Sequence, residues 1–341
     1  MSFLLSADIG GTKTILQLCE FESGLLNIID QANYPSKEWT NFDSLLRDFL
    51  QKNPVKIHSA CFAVAGPIQQ HLNDVSVNVT NLPWLLSRKS LKSAFNVPHL
   101  SLINDFAAIA HALPAYGNEP AKNEYILNLQ TGNEEVYGTR AVIGAGTGLG
   151  QAIAIHNGVD YQVIGTEGGH CDFAPNNDLE IALYQFLNQK QTHVSYERLV
   201  SGEGIENLYQ FYKQICQPTP AINEEYEIIY SYEDPASAIS LLAHKNREGL
   251  AAKAMDHFFR LYGAQAGNFA LSCLPTGGIY IAGGIALKNL ELLKMSEFIN
   301  CFNAKGRMRQ LLEQIPVRLI TDPNPGLAGA TQVAMKQSHK H

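Results

Sequence analysis

Several short segments of this 341-residue chain set carboxylates, hydroxyls and glycines at spacings that could do chemistry. The first is Ala7-Asp8-Ile9-Gly10-Gly11-Thr12-Lys13, between the apolar runs Phe3–Ala7 and Ile15–Cys19. It reads as two strands joined by a tight turn. The glycines would admit positive φ and let backbone N–H groups approach a ligand closely. A concavity of amides suits a phosphate, and Asp8 could hold the waters of a Mg²⁺ ion, which keeps most of its hydration when bound. The plainer reading is a hairpin turn with a surface aspartate. A second glycine-rich turn, Gly144-Ala145-Gly146-Thr147-Gly148-Leu149-Gly150, reads as a backbone cradle for charged oxygens with the Thr147 hydroxyl added. Its alternating glycines argue against a strand interior. Leu149 stands where the dinucleotide fingerprint needs glycine, and no Walker Lys-Ser or Lys-Thr follows. A flexible loop is the alternative.

Three further segments carry polar groups. Asn104-Asp105 falls between a strand and a helix. Asp105 reads either as an N-cap or as a carboxylate placed to accept a proton from an attacking hydroxyl, as in kinases. Glu167-Gly168-Gly169-His170 offers an acid and an imidazole that could bond the hydroxyls of a polyol, with glycines permitting close approach, or else it is a surface turn. Glu197 alone reads as a solvated carboxylate or one paired with Arg198. Thr80-Asn81 reads as a loop, and Gly283-Gly284 as a place for a flat purine ring or for close packing.

Positioning these residues calls for an α/β chain with a mixed sheet. Strands are expected over Leu25–Ala32, Ile57–Val64, His99–Ile103, Thr139–Ile143, Gln151–Ile155, Gly278–Ala282 and Pro316–Ile320. Helical spacing marks Phe42–Leu50, Leu86–Phe95, Phe106–Leu113, Leu179–Asn188, Gly204–Ile215, 248–273 and Leu327–Met335. The segment Tyr226–Pro235 reads as a polar, Tyr-rich connection after a loop at Gln217–Pro220, and the tail Lys336–His341 as frayed. Strand, glycine turn, strand occurs twice, at 3–19 and 139–155, as a structural echo without extended identity.

Composition narrows the class. A hydrophobic share of 45% with 17% charged residues fits sizeable cores rather than disorder. The length predicts two domains. A net charge of −7 argues against a broad nucleic-acid surface. No run is long enough to span a bilayer, and no signal peptide is expected. The six cysteines, at 19, 61, 171, 216, 273 and 301, form no C-x-x-C pair, so reduced thiols in a cytoplasmic protein are expected, with neither zinc nor disulfides.

Together and in this order, the segments resemble the bacterial glucokinase family of the actin-like sugar-kinase superfamily. The resemblance runs nearly end to end. It is carried by Ala7–Thr12, Ala65-Gly66-Pro67, Thr80-Asn81, Ile103-Asn104-Asp105-Phe106, Gly144–Gly150, Glu167–His170 with Asp172-Phe173-Ala174-Pro175, Glu197-Arg198, Ile281–Ile285 and Asp322–Leu327. It implies the actin-like (ribonuclease H-like) fold: a small α/β domain, 1–115 with 320–341, a large one, 116–319, and an active-site cleft between them. Hinge residues would lie after Leu113 and near Ile320. It implies a glucokinase, transferring the γ-phosphate of ATP to the 6-hydroxyl of glucose at the first step of glycolysis, with Asp105 as catalytic base. Asn81, Asn104, Asp105, Glu167, His170 and Glu197 would hold the sugar. Ala7, Asp8, Ile9, Gly10, Gly11, Thr12, Gly144, Gly146, Thr147 and Gly148 would hold the phosphates, with Gly283 and Gly284 near the adenosine. Mg²⁺ would have no dedicated protein cage, only Asp8 through water. The protein would be a homodimer, as relatives commonly are.

Lys13 departs from the asparagine of several relatives. The cysteine-rich zinc signature of the related repressor–kinases is missing after His170, and no DNA-binding helix pair precedes Asp8. A kinase for mannose, fructose or an N-acetylated amino sugar, and a non-catalytic sugar sensor on the same fold, are the competing expectations.

Overall fold

The computed structural model describes residues 2–117 and 124–338. They form two compact units, one of Met1–Pro120, Asn157–Gly165 and Asp322–His341, the other of Ala121–His156 and Thr166–Thr321. In chain order the strands are β1 Ser2–Ile9, β2 Lys13–Glu22, β3 Leu25–Pro35, β4 Ile57–Val64, β5 Ile68–His71, β6 Asp74–Asn78, β7 Leu85–Ser87, β8 His99–Asn104, β9 Ile126–Gln130, β10 Arg140–Ala145, β11 Leu149–His156, β12 Tyr161–Thr166, β13 Ile279–Ala282 and β14 Val317–Ile320.

The first unit is built on a sheet of order β3-β2-β1-β4-β8. The β1–β2 and β2–β3 pairs are antiparallel, whereas β1, β4 and β8 run parallel. Its central strands are apolar at almost every position because both faces are covered. Leu5, Ala7, Ile9 and Phe62 pack with Phe42, Leu45 and Phe49 of the helix Phe42–Lys52. Leu4, Cys61 and Ala63 pack on the other face with Ala330 and Ala334 of the helix Pro325–Ser338. That last helix crosses the helix Asp105–Gly117 at Gly329, where a Cβ would stand 1.7 Å from the Ala108 carbonyl oxygen. Backbone-to-backbone contact of this kind sets how closely the Asp105 helix approaches the last helix.

The second unit repeats the pattern: β11 and β10 form an antiparallel hairpin, β10, β13 and β14 run parallel, and β9 closes antiparallel on β14. The helix Leu250–Cys273 supplies its core with Met255, Phe258, Phe259 and Tyr262.

Several sequence expectations need correcting. Leu86 belongs to the short strand β7, paired with β6, and the helix begins only at Arg88, capped by Ser87. The helix Pro220–Tyr230, with Thr219 as N-cap and Pro220 in its first turn, starts at the end of the expected loop Gln217–Pro220 and runs into the segment Tyr226–Pro235 read as a polar connection. β5, β6, β9 and β12 escaped the sequence reading because each is short or edge-like. Lys336–Ser338 close the last helix, and the remainder of the tail lies outside the described residues.

Candidate functional site

In the first unit the candidate residues gather where β1 and β8 end. β4 lies between those strands, with Asp8 opposite Ala63 and Asn104 opposite Val64, so the two ends stand about 10 Å apart at two inter-strand spacings. Asn104 terminates β8 and its Oδ1 accepts from the N–H groups of Phe106 (2.9 Å) and Ala107 (3.2 Å). Asn104 therefore caps the following helix, the role one reading had given to Asp105. Its Nδ2 donates to Asp105 Oδ1 at 2.8 Å and to the Gly66 carbonyl at 3.3 Å. The Phe106 N–H also reaches Asp105 Oδ1, at 3.0 Å. One oxygen of the half-buried Asp105 carboxylate is thus fixed by two donors, which sets the direction of the group.

Asp8 faces the last helix: a Cβ on Gly326 would stand 3.0 Å from its Oδ2. Burial, reinforced by the charge of Asp105 and partly offset by Lys13, raises its pKa to about 6. A carboxylate held there at such cost is suited to a cationic neighbour, which would return it to the charged form. The turn between β1 and β2 is closed by the Gly10 N–H on the Lys13 carbonyl and by Ser36 Oγ on the Gly10 carbonyl. Neither Gly10 nor Gly11 takes positive φ, contrary to expectation. Gly11 is needed for space: a Cβ would lie 2.9 Å from the Thr80 carbonyl oxygen and 3.3 Å from Asn81 Cβ. The turn thus abuts the Thr80-Asn81 turn, where Asn81 is left-handed (φ 63°) and exposed. Ala7 and Ile9 bury their side chains in the core, leaving only backbone to offer, whereas Thr12 is exposed.

In the second unit the turn Gly146-Thr147-Gly148 joins β10 to β11. Gly144 and Gly150 lie inside the strands and pair with each other, which corrects the view that this spacing excludes strand interior. Gly148 is where Glu197 comes in. Glu197 Oε2 accepts from the Leu149 N–H at 2.8 Å, and a Cβ on Gly148 would stand 2.4 Å from it. Its other oxygen lies 3.6 Å from His170 Nδ1, while His170 Nε2 lies 3.9 Å from Glu167 Oε2. Glu167, His170 and Glu197, separated in sequence, therefore form one cluster against the glycine turn. Arg198 is not the partner of Glu197; it pairs with Glu203 at 2.6 Å. Gly168 and Gly169 pack closely on β11: Cβ atoms there would meet Gln151 Oε1 and the Leu149 carbonyl oxygen, each at 2.1 Å.

Gly283, at φ 87°, lies against the same turn, with a Cβ position 2.3 Å from the Ala145 carbonyl oxygen. Gly284 starts a five-residue helix with open space at its Cβ position. The turn is held from below by Tyr262, which sequence reasoning missed. Its fully buried hydroxyl accepts from the Ala145 N–H (3.2 Å) and reaches the carbonyls of Ile143 (3.1 Å) and Ala282 (3.3 Å), strapping β10 to β13. Its one sequence signal was a tyrosine inside an otherwise apolar helix, a group that must find a polar partner when buried.

Among the described residues no group of three or more His, Cys, Asp or Glu could hold a metal ion, the six cysteines are free thiols, and no helix is long and apolar enough to cross a membrane.

Comparison with known proteins identifies the family and the fold. The family model described as Glucokinase matches residues 5–337. The glucokinases of Nostoc punctiforme and Trichormus variabilis are 42% and 40% identical, each alignment covering 98% of this chain and the whole of the relative. A glucokinase crystal structure from an Antarctic psychrotroph superposes with a TM-score of 0.79 at 30% identity, covering 98% of this chain and 99% of that one. The fold is shared, at 23% identity and a TM-score of 0.77, with a Balamuthia mandrillaris glucokinase solved in complex with glucose, covering 98% of this chain and 94% of that one. The chain has the actin-like sugar-kinase fold and belongs to the glucokinase family.

Proposed function

We propose that the protein phosphorylates glucose from ATP, with Asp105 as the base. The observation that carries this reading is the orientation of Asp105 by Asn104 and the Phe106 amide at the end of a strand, beside the second acid Asp8. Asp105 accepts the proton of the sugar's 6-hydroxyl as that oxygen attacks the γ-phosphorus and ADP leaves. Alignment and charge stabilisation supply most of the rate, because a loose phosphoryl transition state leaves little for the base alone. Asn104 acts chiefly by positioning Asp105, since both ends of its amide are engaged within the protein. Asn81, Glu167, His170 and Glu197 accept and donate to the sugar hydroxyls. A site that bonds each hydroxyl rejects an analogue lacking one by roughly 10⁴-fold, because its polar groups are left unpaired.

The backbone of Asp8–Thr12 and of Gly144–Gly148 holds the phosphates, with Gly283 and Gly284 beside the adenosine. Bound Mg²⁺ would neutralise charge on the phosphates, and Asp8 is the residue to hold it, through water. On this reading the protein acts in the cytoplasm at the entry to glycolysis, as a homodimer.

The test is coupled ADP release with Mg-ATP across a panel of hexoses. Glucose is expected to give the highest kcat/KM. Preference for mannose, fructose or an N-acetylated amino sugar would reassign the substrate. Silence with every sugar, while glucose still raised the thermal midpoint, would favour a sensor.

A further inference from the structure

A second concavity lies at the opposite end of β8 from Asp105. It is an open groove of about 930 Å³, within the range of small-molecule sites. The helix Arg88–Phe95 forms one wall. Arg88, Lys92 and Asn96, four residues apart, line up on one face, and Lys89 with Ser93 forms the adjacent row. The other wall is Val97-Pro98-His99-Leu100 with Gln337 of the last helix. Three cations thus converge on a groove that no acidic side chain lines, in a chain whose net charge is −7. None of the three has an ion-pair partner within 4 Å among the described residues. Asp74, outside the groove lining, accepts from Ser87 Oγ (2.6 Å) and the N–H groups of Lys89 and Val75, and among the three cations its charge couples to Arg88. Five residue steps along β8 set this groove about 17 Å from Asn104, so it is not part of the catalytic cluster.

One carboxylate beyond the lining does not balance three cations, and like charges held together are destabilising unless an anion joins them. Asn73, Ser93, Asn96 and Gln337 add neutral donors and acceptors around the cations, and Val97, Pro98 and Leu100 add an apolar floor. We propose that the groove is a binding site for a small molecule carrying a phosphoryl group on a polar body, the phosphoryl oxygens held by Arg88, Lys89 and Lys92. A nucleic acid would demand a basic surface extending beyond the concavity, and a charge of −7 opposes one.

The test is amine-acylation footprinting of the intact protein by mass spectrometry, with inorganic pyrophosphate, glucose 6-phosphate and AMP as probes. At least one probe should slow acylation of both Lys89 and Lys92 threefold or more relative to sodium chloride of equal ionic strength. The identity of the effective probe separates a free phosphate, a sugar phosphate and a nucleotide as the source. Arg88→Gln should abolish the protection with kcat for glucose unchanged, and Asp105→Ala should retain it, which keeps the outcome independent of the proposed catalytic role. Protection no greater than salt gives, protection that Arg88→Gln leaves intact, or protection by an oligonucleotide alone would overturn the assignment.

Discussion

The two glycine turns, Gly10-Gly11 between β1 and β2 and Gly146–Gly148 between β10 and β11, sit on the same scaffold. Each joins an antiparallel hairpin whose first strand pairs in parallel with a later strand, which in turn pairs in parallel with another. They differ in where the charge comes from. The first carries its own acid, Asp8, and shares a sheet edge with Asp105. The second has no ionisable residue of its own and borrows Glu197 from 48 residues away, through the Leu149 amide. On the function proposed above, the same backbone device would serve proton and metal chemistry in one unit and grip and selectivity in the other.

If that division holds, the largest effect follows removal of the base. Asp105→Ala should lower kcat by about 10²–10⁴ while glucose affinity, measured by titration calorimetry, stays within about tenfold, the loss of one hydrogen bond. Substantial turnover by this variant would take the proton chemistry out of the first unit.

Next come the contacts of the second turn. Gly148→Ala puts a methyl 2.4 Å from Glu197 Oε2 and must break the Leu149 bond. Glu167→Gln and His170→Ala remove the cluster's exposed members. All three are expected to raise KM for glucose roughly tenfold, about 1.4 kcal/mol, and KM for ATP much less. The opposite pattern in steady-state kinetics would move the cluster to the nucleotide side.

Asp8 makes the comparison visible as a pH effect. Its pKa of about 6 exceeds the ordinary 3.8, so between those values the folded state binds more protons than the unfolded state. Stability from this group is therefore full below about pH 4 and falls as pH rises through 6, by on the order of 3 kcal/mol. Asp8→Asn should raise the thermal midpoint at pH 7.5 by several degrees without Mg²⁺, lose that advantage below pH 4, and impair catalysis. An unchanged midpoint at pH 7.5 would mean that Asp8 is already solvated or paired. The smallest effect is expected at Gly146, where nothing lies within 4 Å of a Cβ position. Gly146→Ala should leave the midpoint within about 1 °C, as a surface change does, yet raise KM for ATP if phosphates rest on this turn.

Local signals made much of this molecule readable. Apolar runs bounded by glycine or proline mark β4 with its observed ends, and the Asn-Asp pair marks the junction of β8 with the following helix. The helix Pro220–Tyr230 starts on a Thr219-Pro220 cap that reads as plain loop, and its polar, Tyr-rich second half reads as a connection. What stayed illegible depends on atoms far apart in sequence: Glu197 on Leu149, Tyr262 under Ala145, Gly326 against Asp8, Gly11 against Thr80. The glycines of the first turn are legible, but the need for them is steric and not conformational. There a carbonyl and a neighbouring Cβ leave no room for a side chain, and φ is unexceptional.

The measurement that bears most directly on the account is the rate of ADP release when glucose is added to the protein with Mg-ATP, set beside the same rate for Asp105→Asn, which keeps the size and hydrogen-bonding frame of the side chain. Rapid, glucose-dependent release by the native chain and a loss of at least about a hundredfold in the variant are predicted. Equal rates in the two proteins would contradict it.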